Sequence, residues 1–273
     1  MANSFAALSP TVVSAQAMTA LKNKTAFLTD FSTDFGGEIK RKSVIQVPLY
    51  TGGTTLTDPT NFAQSDSTST TIAVTPVHLY QPIALTFGEF NYFHKLETQI
   101  GAAVNKLVDK MQTLVFSNLS TANFSVGLSA ADTGLTAANL QTAWASVAGT
   151  DKVCYMTSTG YSKFLPSTKE SFDPAGSPAY GFSRLAWSDS IATAQSGVYG
   201  FVAADKQAFA IAAGLPELNR PEAIDSMVID LGNGLQALLT NFYDVNSRTE
   251  YMAIEAMFGC SIGQAAALKL LKW

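Results

Sequence analysis

The chain has 273 residues and a mass of 29.0 kDa, with 47% hydrophobic and only 14% charged residues, where an average globular chain carries roughly 25% charged. This content excludes global disorder, and 17 Lys+Arg against 21 Asp+Glu excludes an overall basic footprint for nucleic acid. A free monomer ordinarily keeps more charge in contact with water, so the shortage points to surface covered by other copies.

Ser9-Pro10 opens a helix with Pro at its first position and Val13, Ala17, Ala20 and Leu21 on one face. The segment is too short and too weakly apolar to fold alone, and residues 1–37 are expected to lie as an arm on another surface. Residues 38–90 read as a β-type excursion. Ser43–Tyr50 is an outgoing strand that Pro48 confines to an edge, and Thr71–Tyr80 alternates apolar and polar positions as its return. Between them, Thr51–Thr70 is built of Thr, Ser, Gly, Asp and Asn, with Leu56, Phe62 and Ala63 as its apolar residues. A polar tip of about 20 residues is long for a compact domain, and loops of that length are usually functional. A lone two-stranded ribbon is marginal in water and needs a surface to lie on.

A long helix is predicted over Asn91–Leu119. Phe93, Leu96, Ile100, Ala103, Leu107, Met111 and Leu114 fall on one stripe, and Lys95, Glu97, Asn105, Lys106, Asp109 and Lys110 fall largely off it. Its length is roughly 40 Å at 1.5 Å per residue. Two starts compete, an Asn91 N-cap and a Thr86-x-x-Glu89 capping box one turn earlier.

From Ser120 onward short helices and strands alternate. Leu135–Val147 reads as a helix, Lys152–Met156 as a buried strand, Gly160–Leu165 as a short helix and Phe172–Ser183 as a loop. Gly197–Ala213 holds a strand ending at Asp205-Lys206-Gln207 and then a second apolar run. Met227–Asp230 and Leu235–Phe242 flank Leu231-Gly232-Asn233-Gly234, a hairpin turn. Tyr251–Ile262 and Ala267–Leu271 are the last strands, and no internal repeat is visible.

No run approaches the ~18 apolar residues of a membrane span, and Met1–Pro10 does not read as a secretory signal. Cys154 and Cys260 lack C-x-x-C spacing and are expected to be buried thiols rather than a disulfide. The sequons at Asn23, Asn118 and Asn123 carry no meaning without secretion.

This order of segments resembles the major capsid protein of tailed bacteriophages, the Hong Kong 97 capsid fold. Three phrases carry the resemblance. Phe35-Gly36-Gly37-Glu38-Ile39-Lys40 leading into Ser43–Pro48 is similar to the approach to the family's long β-hairpin, the E-loop. Gly197–Val202 with Asp205–Phe209 is similar to the axial-domain strand pair, and Phe258-Gly259-Cys260-Ser261-Ile262 to the last peripheral strand. The resemblance implies an α+β fold with an N-terminal arm (1–37), an E-loop hairpin (38–90), a peripheral domain with its spine helix (91–134), an axial domain (135–245) and returning peripheral strands (246–273). The implied function is a major capsid protein that self-assembles into an icosahedral shell around double-stranded DNA, located in the virion and assembled in the host cytoplasm. Its partners would be copies of itself in hexamers and pentamers, a portal, and scaffolding or decoration proteins; contact with DNA would be weak and non-specific, and no membrane is involved. Some family members weld subunits through an E-loop Lys. Ser43–Phe90 contains no Lys, so the contacts here are expected to be non-covalent.

An enzyme reading has little to hold. His78 and His94 are the only histidines, and each is expected to be a hydrogen-bonded structural residue. Phosphate-loop, nucleophile-elbow, H-E-x-x-H and EF-hand patterns are absent, no Cys/His/Asp cluster has metal-ligand spacing, and no cofactor is implied. The candidate inter-subunit residues are the basic run Lys40, Arg41 and Lys42, the tip residues Leu56, Phe62 and Asp66, and the arm aromatics Phe5, Phe27 and Phe31. The basic run reads as an inter-subunit ion-pair site, a DNA contact, or simply a solvated turn. The rival readings are an encapsulin-like nanocompartment and, from another class, a soluble α/β enzyme.

Overall fold

The computed structural model describes residues 28, 30, 44–51, 68–85, 93–129, 136–164, 181–191, 197–216, 223–232, 235–244 and 249–272. Residues 45–51, with Ile45, Val47 and Leu49 at alternate positions, form strand β1 (Ile45–Thr51), which pairs antiparallel with β2 (Thr68–Val74) in one register from Ile45↔Val74 to Thr51↔Thr68. The tip between them lies outside the described residues. The expected single return strand over Thr71–Tyr80 is in fact two strands. Pro76 has no N–H to continue the ladder, and at Thr75-Pro76 the chain leaves the ribbon and enters a sheet as β3 (Val77–Leu85).

That first sheet has the order β3-β11-β10-β9, with β9 at Ala223–Gly232, β10 at Leu235–Asp244 and β11 at Thr249–Ile262. Strands β9 and β10 flank the expected hairpin turn, whose residues 233–234 are not described. A further strand, β8 (Phe209–Gly214), pairs with the far half of β11. Met257 and Phe258 pair with both β3 and β8, and Glu250–Glu255 pair with both β3 and β10. Strand β3 therefore takes one edge of β11, and β10 and β8 follow each other along the opposite edge.

Helix α1 (Phe93–Phe116) packs on one face of this sheet. At 1.5 Å per residue it is about 36 Å long. Its buried residues are Ala103, Val104, Leu107, Val108, Met111, Val115 and Phe116, with Leu114 half-buried at the flank. The buried arc is wider than the predicted stripe and adds three valines, because α1 touches two sheets: Phe116 lies 5.8 Å from Phe201 of the second sheet, centroid to centroid. Ser188 and Ser190 also donate to Gln112 Oε1 on this helix.

The second sheet has the order β4-β12-β7-β5-β6, formed by Val126–Ser129, Leu268–Lys272, Gly200–Ala204, Lys152–Met156 and Arg184–Trp187 respectively. Every residue of β5 and β7 is buried, as expected for strands covered on both faces. Val153, Tyr155, Phe201, Ala203, Leu268 and Leu270 join the core of α1. On the other face Cys154, Met156, Val202 and Leu271 meet Leu140 and Ala143 of α2 (Ala137–Ala145), together with Val147 and Phe182. Thr136 caps α2 by accepting from Asn139 N. Helix α3 (Ser158–Ser162) follows β5, with Thr157 as its cap.

Strands β7 and β8 correct a second expectation, since they do not pair with each other. The turn at Asp205-Lys206, both in the left-handed region at φ 55°, hands the chain from the second sheet to the first. Both strands are buried along their whole length, so no polar face in the sequence distinguishes their sheets. Among the described residues no helix is long and apolar enough to cross a membrane.

Candidate functional site: the ribbon and its root

Ribbon β1–β2 has one apolar face at its root. Val47 and Val74 are buried and Ile45 and Ile72 half-buried, against Ala210 and Ala212 of β8 and Met257 of β11. These partners face away from α1, because Phe209, Ile211 and Phe258, one residue out of phase, belong to the α1 core. The ribbon root and α1 thus lie on opposite faces of the first sheet. Farther out, Ser69, Thr70 and Thr71 are exposed.

Four successive same-face residues of β11 hold this root. Ser261 Oγ donates to Ala73 O at 3.0 Å. Gly259 lies where a Cβ would come within 2.8 Å of Val74 Cγ1 and 2.9 Å of Pro76 Cα and Thr75 O, so only glycine lets the ribbon settle this closely. Met257 packs into the root. Glu255, with its side chain 0% exposed, accepts from His78 Nε2 at 2.7 Å, and His78 lies two residues past the point where the chain leaves the ribbon. His78 is hydrogen-bonded, as expected, to a partner that the sequence did not name. Backbone order in β11 turns its alternation into a rail of hydrogen bond, glycine notch, apolar contact and a second hydrogen bond.

The second sheet has its own fastenings. Lys152 is buried; its Nζ donates to Trp144 O at 2.8 Å and sits 3.8 Å from the Trp144 ring centroid, while Trp144 Nε1 donates to Gly181 O. Asp30 accepts from the Tyr155 hydroxyl and from Arg184 Nη1. Burial raises the Asp30 carboxyl above the ordinary carboxylate range, opposed by Tyr155 and Arg184. Cys154 and Cys260 are free, and burial pushes both thiols well above their ordinary value. No group of His, Cys, Asp or Glu among the described residues is arranged to hold a metal ion.

The sequence-predicted interface residues Lys40, Arg41, Lys42, Leu56, Phe62, Asp66, Phe5, Phe27 and Phe31 all lie outside the described residues. His94 lies on the first turn of α1. Two residues that hold the ribbon root carried a legible signal. Gly259 interrupts an apolar strand, which marks close backbone approach, and Glu255 is a lone acid between Ile254 and Ala256. The Asp30 contacts carried none, since nothing local relates residues 30, 155 and 184.

No protein-family model matches this sequence, and no curated protein does. Solved structures do match. The virus-like particle from Pyrococcus furiosus is similar at a TM-score of 0.54 and 12% identity, over 94% of this chain and 96% of that one. The capsid of an empty GTA particle is similar at a TM-score of 0.53 and 12% identity, over 91% and 90%. A cyanophage capsid reaches a TM-score of 0.49 at 13% identity, over 88% and 86%. At these identities the likeness is one of fold. The chain shares the α+β fold of the virus-like particle and GTA capsid structures along nearly all its length.

Proposed function

We propose that this chain is the major capsid protein of a tailed bacteriophage, a subunit whose work is geometric rather than catalytic. The observation that carries this reading is mutual coverage of 90% or more with two shell-forming proteins, which accounts for almost the whole chain by the shell fold. In this reading β1–β2 is the E-loop, α1 the spine helix, the first sheet with α1 the peripheral domain and the second sheet with α2 the axial domain, a division that departs from the expected bounds by moving β8, β9 and β10 to the peripheral domain and β4 and β12 to the axial one. The E-loop overlies a neighbour, and axial-domain loops meet at the symmetry axes of hexamers and pentamers. Lys40-Arg41-Lys42 supplies ion pairs across an interface. Each contact buries several hundred Å² and, at about 25 cal/mol per Å² less ordering costs, is weak alone. A closed shell is strong because all its contacts must break together. The contents are double-stranded DNA, held by weak non-specific contact, and a portal with scaffolding or decoration proteins completes the particle in the host cytoplasm. With no Lys in Ser43–Phe90, subunits are held without covalent welds.

Negative-stain microscopy of the purified protein, with the nucleic-acid content of the particles measured, tests the reading. Closed icosahedral shells that retain DNA are expected. DNA-free shells loaded with protein cargo would favour the nanocompartment alternative. A field without shells under all conditions, with a scaffold supplied, would refute both. A ladder of cross-linked species on denaturing gels would refute the non-covalent part.

A further inference from the structure

Within residues 1–43 the described positions are Leu28 and Asp30, and the rest of the chain holds both. Leu28 is fully buried in the core that α1 shares with the two sheets. The Asp30 side chain, 14% exposed, accepts from the Tyr155 hydroxyl on β5 and from Arg184 Nη1 on β6, the latter at 2.8 Å. Those donors are themselves held. Tyr155 stacks on Phe201 of β7 with ring centroids 5.6 Å apart and planes at 10°, and the Arg184 guanidinium lies 5.8 Å from the Tyr155 ring centroid. Lys206, in the turn between the sheets, adds a second positive charge toward Asp30 and lies 3.9 Å from Asp151. In a chain with only 14% charged residues, two positive charges and a hydroxyl donor converge on this one residue.

We propose that Leu28 and Asp30 form a latch that docks the N-terminal segment on its own subunit, with Tyr155 and Arg184 as the receiving site. The latch divides the arm. Residues ahead of position 28 are the part able to reach a neighbour, and the segment at 28–30 stays with the subunit that made it. This goes beyond the shell reading and holds for the unassembled subunit.

The test is hydrogen exchange of the peptide spanning Leu28–Asp30 in the full chain. Arg184→Asp should speed its exchange about tenfold, the loss of one charge-assisted hydrogen bond, and Asp30→Arg by more, because it also removes the acceptor of the Tyr155 hydroxyl. The double variant should return it to within about threefold of the parent, because the pair is restored with its ends exchanged. Tyr155→Phe keeps the stack on Phe201, removes one donor and should speed exchange by a few-fold, so the idea stays testable if the charge variants fold poorly. Unchanged exchange in Tyr155→Phe and Asp30→Arg, or a double variant no better than the worse single, overturns the latch. Mixing the two single variants during assembly should give no recovery. Recovery there would mean the segment docks on a neighbour, which overturns the assignment to one subunit while leaving the shell reading intact.

Discussion

Gly259→Ala is the sharpest perturbation of the ribbon root. The added methyl would lie 2.8 Å from Val74 Cγ1 and 2.9 Å from both Pro76 Cα and Thr75 O, where ordinary contact begins at 3.4 Å. Two of those three atoms are main chain and cannot rotate aside, so the ribbon must lift by about half an ångström. Lifting strains the Ser261–Ala73 hydrogen bond and loosens Val47 and Val74 from Ala210, Ala212 and Met257. Overpacking of this kind costs about 1–3 kcal/mol. If the cost falls on the ribbon, amides of β1 and β2 should exchange about 5- to 150-fold faster, with β5 and β7 unchanged. Hydrogen exchange with peptide-level resolution reads this directly. Ser261→Ala, which removes only the hydrogen bond, should give the smaller effect of about 0.5–1.5 kcal/mol. Unaltered ribbon exchange in Gly259→Ala, or an equal change in both sheets, would show that β11 does not seat the ribbon.

Three further outcomes are expected. His78→Ala removes a hydrogen bond to the buried Glu255 carboxylate and should lower stability by about 1.5–3 kcal/mol in chemical denaturation, and an unaffected midpoint would refute the anchoring role. Lys206→Gly relieves a side chain held at φ 55° and gives up an exposed 3.9 Å ion pair with Asp151 and a solvent-screened attraction to Asp30, so it should raise the melting temperature through a net gain of about 0.5 kcal/mol; destabilisation would refute that account. Asp30 titrates higher in the fold than in the unfolded chain because of burial, with Tyr155, Arg184 and Lys206 as the facing groups. The folded state therefore binds the extra proton, and the stability it brings is complete below the ordinary carboxylate range and is lost as pH rises through the folded-state value. The melting-temperature difference between the parent and Asp30→Asn should move against the parent from about pH 4 to pH 7, and a flat difference would contradict it.

Much of the architecture was legible because it is written in local periodicity. The outgoing run at Ser43–Tyr50 and the alternation at Thr71–Tyr80 announced a ribbon, although Thr68–Thr70 read as part of its tip, and a 3.6-residue stripe announced α1, although its width depended on a second sheet that no helical wheel contains. Pro76 was visible in the sequence, yet its consequence, a change of partner in mid-strand, required knowing that β11 waits beside it. Strands β7 and β8 illustrate the limit more plainly: two runs buried on both faces carry no alternation to assign them to a sheet. Strands β4 and β6, four residues each, are too short to show any period. Of the candidate site, the Gly259 notch and the lone Glu255 had sequence signals, whereas Asp30, Tyr155 and Arg184 meet only through tertiary structure. The family resemblance rested on the order of segments, and a likeness that spans nearly the whole chain at 12% identity is the form in which segment order survives.

Among the described residues, strands β11 and β12 come after every other strand, yet each is an interior strand of its sheet. Strand β11 separates β3 from β10 and β8, and β12 separates β4 from β7. Until residues 249–272 have left the ribosome, both sheets are split, and β3, β10, β7 and β4 each present an open edge. Neither sheet can close before residues 249–272 are in place, whatever the order in which the earlier strands form.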